Sequence, residues 1–80
     1  MPVVLRERGY AVFFYMYDLS EPIHVHVRND RKEAKYWLDP LVMAWNKGFR
    51  KQELNRIEQI LHRNHDRIVT FWNREQDKRR

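Results

Sequence analysis

Two histidines stand two residues apart in Glu21-Pro22-Ile23-His24-Val25-His26-Val27. On an extended strand, residues i and i+2 project to the same side, so the two imidazoles fall close together. That spacing suits two nitrogen ligands on one metal, or an acid and a base working on one phosphodiester. A metal needs a third ligand and preferably a fourth. The strand pairing derived below places Lys35 and Trp37 beside the pair, which supply none, and a neighbouring ammonium opposes a cation. Glu21, Asp39 or His65 would serve only if the fold brings them round, so no metal and no cofactor is expected. The acid–base reading is better supplied. Arg28 and Lys35 favour an anion such as a phosphate, and like-charge repulsion from them would lower the histidine pKa values. Trp37, with Tyr15 or Tyr17, can stack on an unpaired base. His24 and His26 are thus the catalytic candidates, and Arg28, Lys35 and Trp37 the candidates for nucleic-acid or anion binding. The alternative is that both histidines simply occupy the solvent face of an amphipathic strand.

Composition excludes much else. The chain has no cysteine, which removes disulfides, thiolate metal sites and cysteine nucleophiles. Ser20 is the only serine, Thr70 the only threonine, and Gly9 and Gly48 the only glycines. A glycine-rich phosphate loop is impossible and a serine hydrolase unsupported. The 16 Lys plus Arg against 11 Asp plus Glu give a formal charge of +5. Residues 1–40 carry six of each sign and residues 41–80 carry ten cations against five acids, so the excess lies wholly in the second half. Such asymmetry points to a polyanion or an acidic partner, or to a solubilised helix surface. No apolar run approaches the roughly 20 residues of a membrane span, and Met1-Pro2 opens no secretory signal. The expectation is a cytoplasmic chain with no membrane partner.

The elements that must position the histidines read strand first and helix last. Val3-Val4-Leu5 leads through Arg6-Glu7-Arg8-Gly9 to the aromatic run from Tyr10 to Tyr17, the composition of a strand with Gly9 at its turn. Pro22 punctuates it. Ile23, Val25 and Val27 then alternate with His24, His26 and Arg28, and Ala34, Tyr36 and Leu38 alternate with Glu33, Lys35 and Trp37. Pairing residues whose numbers sum to 61 sets apolar against apolar on one face. On the other it places Arg28 against Glu33, His26 against Lys35 and His24 against Trp37. A slip by one residue would set apolar against polar throughout. Residues 41–45 follow Asp39-Pro40 as a fifth strand or a short helical turn, with the strand favoured, and Asn46-Lys47-Gly48 is a turn. From Arg50 the period becomes helical: Leu54, Ile57, Leu61, Ile68 and Trp72 share a stripe, flanked by Ile60 and Phe71 and interrupted at Asn64-His65. A helix over 51–75 would be about 37 Å long, against about 17–20 Å for a strand. It must overhang the sheet or break near Asn64-His65-Asp66. Val69, Phe71 and Trp72 then mark a homodimer or partner contact, or pack on the N-terminal hairpin. His62 is expected in solvent and His65 in a packing role. Glu53 suits the start of the helix dipole and can cap it.

Pro2-Val3-Val4-Leu5-Arg6, Phe13-Phe14-Tyr15, the histidine segment, Ala34-Lys35-Tyr36-Trp37-Leu38-Asp39-Pro40, Gly48-Phe49 and Glu53-Leu54 recur in an order and spacing that resemble a known family. It is a family of short bacterial and archaeal proteins designated only as a domain of unknown function and marked by an E-P-P-H-V-H-V segment. The resemblance spans almost the whole chain and implies that the His24/His26 strand is a family signature. It also implies a gene encoded beside another small protein, in an arrangement like a toxin–antitoxin pair. Two positions depart from the pattern. Ile23 stands where a second proline is usual, and Arg50 where a serine or threonine usually opens the helix, which removes half of the reciprocal capping box.

The sequence therefore predicts an α+β domain over residues 1–76 with a basic tail at 77–80. An antiparallel sheet of four to five strands packs against one long C-terminal helix, kinked near Asn64–Asp66. The expected function is a toxin-like member of a two-protein module that binds or cleaves RNA through a His/Lys/Trp sheet face. Its partners would be RNA and a cognate small protein encoded nearby. The alternatives are a non-enzymatic protein-interaction module and a metal-binding domain.

Overall fold

The computed structural model describes residues 2–78; the last two arginines of the predicted basic tail, Arg79 and Arg80, lie outside the described residues. Five strands, β1 (Val3–Glu7), β2 (Tyr10–Phe13), β3 (His24–Asn29), β4 (Lys32–Leu38) and β5 (Leu41–Lys47), are followed by α1 (Lys51–Arg63) and α2 (His65–Lys78). The strands form one antiparallel meander in chain order. Arg8 and Gly9 both take positive φ at the β1–β2 turn, the geometry that matches the twist of a tight hairpin.

The β3–β4 register is the predicted one. Val25 pairs with Tyr36, Val27 with Ala34, His24 with Trp37, His26 with Lys35 and Arg28 with Glu33. It continues past the strand end, where Leu38 donates its backbone N–H to Ile23 at 3.2 Å. One face of the sheet, carrying Val12, Val25, Val27, Ala34, Tyr36 and Leu38, buries against Ile57, Ile60, Leu61, Ile68 and Trp72. Leu54 and Phe71 pack at the rim of this core, so the helical stripe read from the sequence is the stripe that is buried.

One expectation needs revision. The aromatic run does not continue as strand to Tyr17: β2 stops at Phe13, and Met16–Ser20 forms a 3-10 turn. The cause is local, because the Asp18 carboxylate accepts the Tyr15 backbone N–H at 3.2 Å and offers that amide an alternative to the ladder. Of the outcomes foreseen for the long helix, the break near Asn64 is the one observed. The Asn64 side chain donates to the Ile60 carbonyl at 2.8 Å, and its backbone N–H donates to the same oxygen at 3.1 Å. Glu7 on β1 fixes the joint by receiving Arg63 and, at 3.4 Å, Asn64. After the break, Phe14 meets both Phe71 and Trp72 of α2, with ring centroids 5.8 and 4.9 Å away. Trp72 is thus buried within the chain, and Phe71 is half-buried.

Candidate functional site

β3 sends His24 and His26 to the sheet face opposite α1, but neither imidazole reaches solvent. His24 is 0% exposed and His26 6%. The expectation of solvent-facing rings is therefore corrected, and the physical reason is an aromatic enclosure. Tyr15 stands edge-on to His26 at 4.9 Å, Phe13 stacks on it at 5.4 Å and Trp45 leans over it at 5.7 Å. Trp37 and Trp72 stand edge-on to His24 at 5.3 and 5.4 Å. The two imidazoles are 5.4 Å apart, ring to ring.

The residue that completes the cluster is Asp18, which no sequence argument had singled out. The 3-10 turn folds it back onto β3, where it is 4% exposed. Its Oδ2 lies 3.0 Å from His24 Nε2 and 3.1 Å from His26 Nε2. A usable signal was present, since Asp18 follows Tyr15 by three residues, the spacing at which an aspartate captures an upstream backbone amide. Each imidazole is also held at its far nitrogen. His24 Nδ1 is 3.0 Å from the Pro22 carbonyl oxygen, which can only accept, so Nδ1 carries the proton and donates. His26 lies between two carboxylates, with Nδ1 3.2 Å from Glu33 Oε2 and Nε2 hydrogen-bonded to Asp18 Oδ2 at 3.1 Å. Neutral His24 therefore presents its Nε2 lone pair to Asp18. His24 Nε2, although 3.0 Å from Asp18, is buried without a hydrogen bond.

Electrostatics follow from this enclosure. Burial pushes the His26 pKa below the usual histidine range, against the pull of Asp18 and Glu33. The direction is the one expected from the sequence, but its main cause is desolvation rather than repulsion by Lys35 and Arg28. Burial also opposes ionisation of Asp18. The His24 contact, the Tyr15 amide and the two imidazoles together outweigh it and hold the carboxyl below the usual carboxylate range.

The remaining site residues lie at the rim. Arg28 grips Glu33 with two hydrogen bonds of 3.1 and 2.8 Å and covers the Phe13 ring at 5.3 Å. Lys35 pairs with Glu21 at 3.0 Å, and its ammonium sits 4.4 Å over the Trp37 ring. Trp45 and Lys47, which the sequence reading left out, extend the pattern onto β5, with Lys47 5.2 Å over the Trp45 ring. Tyr15 and Tyr17 stack at 5.4 Å, and Tyr17 is 71% exposed. Asp39 and His65 pair with each other at 2.8 Å, so the structure does not bring them to the histidine pair, and His65 is a surface partner of Asp39 rather than a packing residue. Glu21 reaches only the outer nitrogen of His24, at 3.8 Å. The three ligand atoms of Asp18, His24 and His26 lie within 4.8 Å of one another; the third ligand missing from the sequence reading is therefore present.

No helix among the described residues is long and apolar enough to cross a membrane. Compared with known proteins, residues 9–73 match the model of a family described as "Domain of unknown function (DUF4160)". No curated protein and no solved structure matches the chain.

Proposed function

Because the chain belongs to the DUF4160 family, whose description assigns no activity, we propose its function from the sheet face opposite α1: it binds single-stranded RNA there. The observation that carries this reading is the pairing of indole and ammonium on neighbouring strands. Lys35 lies over Trp37 and Lys47 over Trp45, with Lys35 directly opposite Trp45 in the β4–β5 register. Aromatic faces beside cations suit stacked bases and their phosphates regardless of sequence. Arg28 and the exposed Tyr17 widen the platform. His24 and His26 lie beneath it, sealed from a phosphodiester, so binding rather than cleavage is the form of the RNA reading that the geometry favours. They enter it as supports for the aromatic floor.

Fluorescence anisotropy with a short unstructured RNA tests the proposal. Trp37→Ala and Trp45→Ala should each weaken binding by about 5- to 150-fold, from about 1–3 kcal/mol per stacked base. Lys47→Ala should flatten the salt dependence. Equal affinity in all three variants sinks the idea. The toxin-like role in a two-protein module rests on family resemblance alone. Growth arrest on expression, relieved by the neighbouring gene product, is its test, and unimpaired growth refutes it.

A second reading, a protein-interaction module, draws on β5. This strand ends the sheet with one unpaired edge and exposes Val42 and Met43 to 49% and 42%. A groove of about 310 Å³ between Ile23, Trp37, Pro40 and Val42 adjoins it. A cognate protein adding a strand to this edge would use backbone pairing. Light scattering with the neighbouring gene product decides it, because Met43→Pro should abolish a complex built that way.

A further inference from the structure

We infer that Asp18, His24 and His26 form a binding site for one divalent first-row transition metal, which clasps the 3-10 turn to β3. This is independent of the RNA reading and rests on different atoms. Three features point the same way. The outer nitrogens have partners: His24 Nδ1 donates to the Pro22 carbonyl, which leaves its Nε2 lone pair aimed inward, and His26 lies between two carboxylates, with Nδ1 3.2 Å from Glu33 and Nε2 3.1 Å from Asp18. A ligating histidine in proteins is oriented by this same device, the second nitrogen held by a carbonyl or a carboxylate. Next, His24 Nε2 is wholly buried, lies beside a carboxylate oxygen and makes no hydrogen bond. Lone pairs facing a carboxylate in a dry enclosure repel unless something positive stands among them. Lastly, Asp18 Oδ2 is 3.0 and 3.1 Å from the two nitrogens. Two ligand atoms on a metal with bonds of about 2.1 Å are separated by about 3.0 Å at right angles and about 3.4 Å at the tetrahedral angle of zinc, so both contacts lie close to the spacing of a ligand pair.

The donor set names the class of ion. Two imidazoles and one carboxylate, with no thiolate, suit zinc or iron(II) and disfavour copper(I) and calcium. The aromatic walls exclude water, and the ligands come from two segments separated by the Pro22 break. The metal therefore joins a turn to a strand. An 80-residue domain has little core to spare for holding such a turn.

The experiment uses the full chain, freed of metal by a chelator, with Zn²⁺ alone as the probe. Calorimetry should give one bound equivalent. Histidine side-chain NMR should show the His24 and His26 Nε2 signals moving while those of His62 and His65 stay still. Amide exchange at Asp18 and Glu21, which hydrogen-bond within the turn, should slow on addition of Zn²⁺. Asp18→Asn and His26→Gln should lose at least 100-fold in affinity. Glu33→Gln, which keeps all three ligands, should lose about 10- to 100-fold and guards against failure of the ligand variants to fold. His65→Gln should bind as the parent does. Absence of binding by the folded parent overturns the inference. So does undiminished affinity in Glu33→Gln, or a response located at His62 and His65.

Discussion

Asp18 shows how much a single carboxylate can organise. It stops β2 by taking the Tyr15 amide and at the same time meets both imidazoles. The histidines themselves were legible, because alternation on a strand fixes their shared side. Their burial was not, since it depends on Tyr15, Trp37, Trp45 and Trp72 arriving from four separate segments, which no period in the sequence encodes. His65 gives a contrasting case on the surface. Its hydrogen bond to Asp39 at 2.8 Å, aided by Asp66, raises its pKa above the usual histidine range. A raised folded-state pKa means that the stabilisation is fully present below the unfolded value and is lost as pH climbs through the folded one. NMR titration should therefore place the His65 midpoint above that of an unfolded reference, and Asp39→Asn should bring it down. An unchanged midpoint in that variant would remove Asp39 as the cause.

Among the elements, the β3–β4 hairpin was the most legible, because only one register sets apolar opposite apolar. The helix break was foreseen at Asn64-His65, but not what holds it: the Asn64 side chain shares the Ile60 carbonyl with its own backbone N–H and also reaches Glu7 on β1. At the start of α1, Arg50 occupies the capping position and makes no side-chain cap, while Glu53 Oε1 accepts the Arg50 backbone N–H at 3.1 Å. Restoring the missing acceptor with Arg50→Ser should raise unfolding stability by about 1 kcal/mol, read from urea denaturation. A neutral or destabilising result would mean that the Arg50 side chain contributes something the cap cannot replace. The β5–α1 connection is less forgiving. Gly48 has φ +100°, and a Cβ there would lie 2.9 Å from Lys32 Cγ.

For the molecule as a whole, the two layers part the work. The helical layer supplies the core and much of the cationic excess, and the open sheet face carries the aromatic and cationic platform. Packing of Trp72 at the N-terminal hairpin was one of the readings the sequence allowed; what it could not yield was that the same indole touches Phe14 on one side and His24 on the other. Trp72→Ala should cost about 3–5 kcal/mol through the cavity it leaves. It should also quicken solvent exchange of the His24 ring. A loss of stability without faster exchange at His24 would show that the tryptophan fills the core but does not seal the imidazoles.

That seal is fitted last during synthesis. Trp72 is translated 48 residues after His24 (72 − 24), a delay of about 2–10 s at ordinary ribosomal speeds. Throughout that interval the His24 ring lacks one of its two indole neighbours, although Trp37 is already made. An ion or proton thus reaches His24 more readily before α2 docks than afterwards.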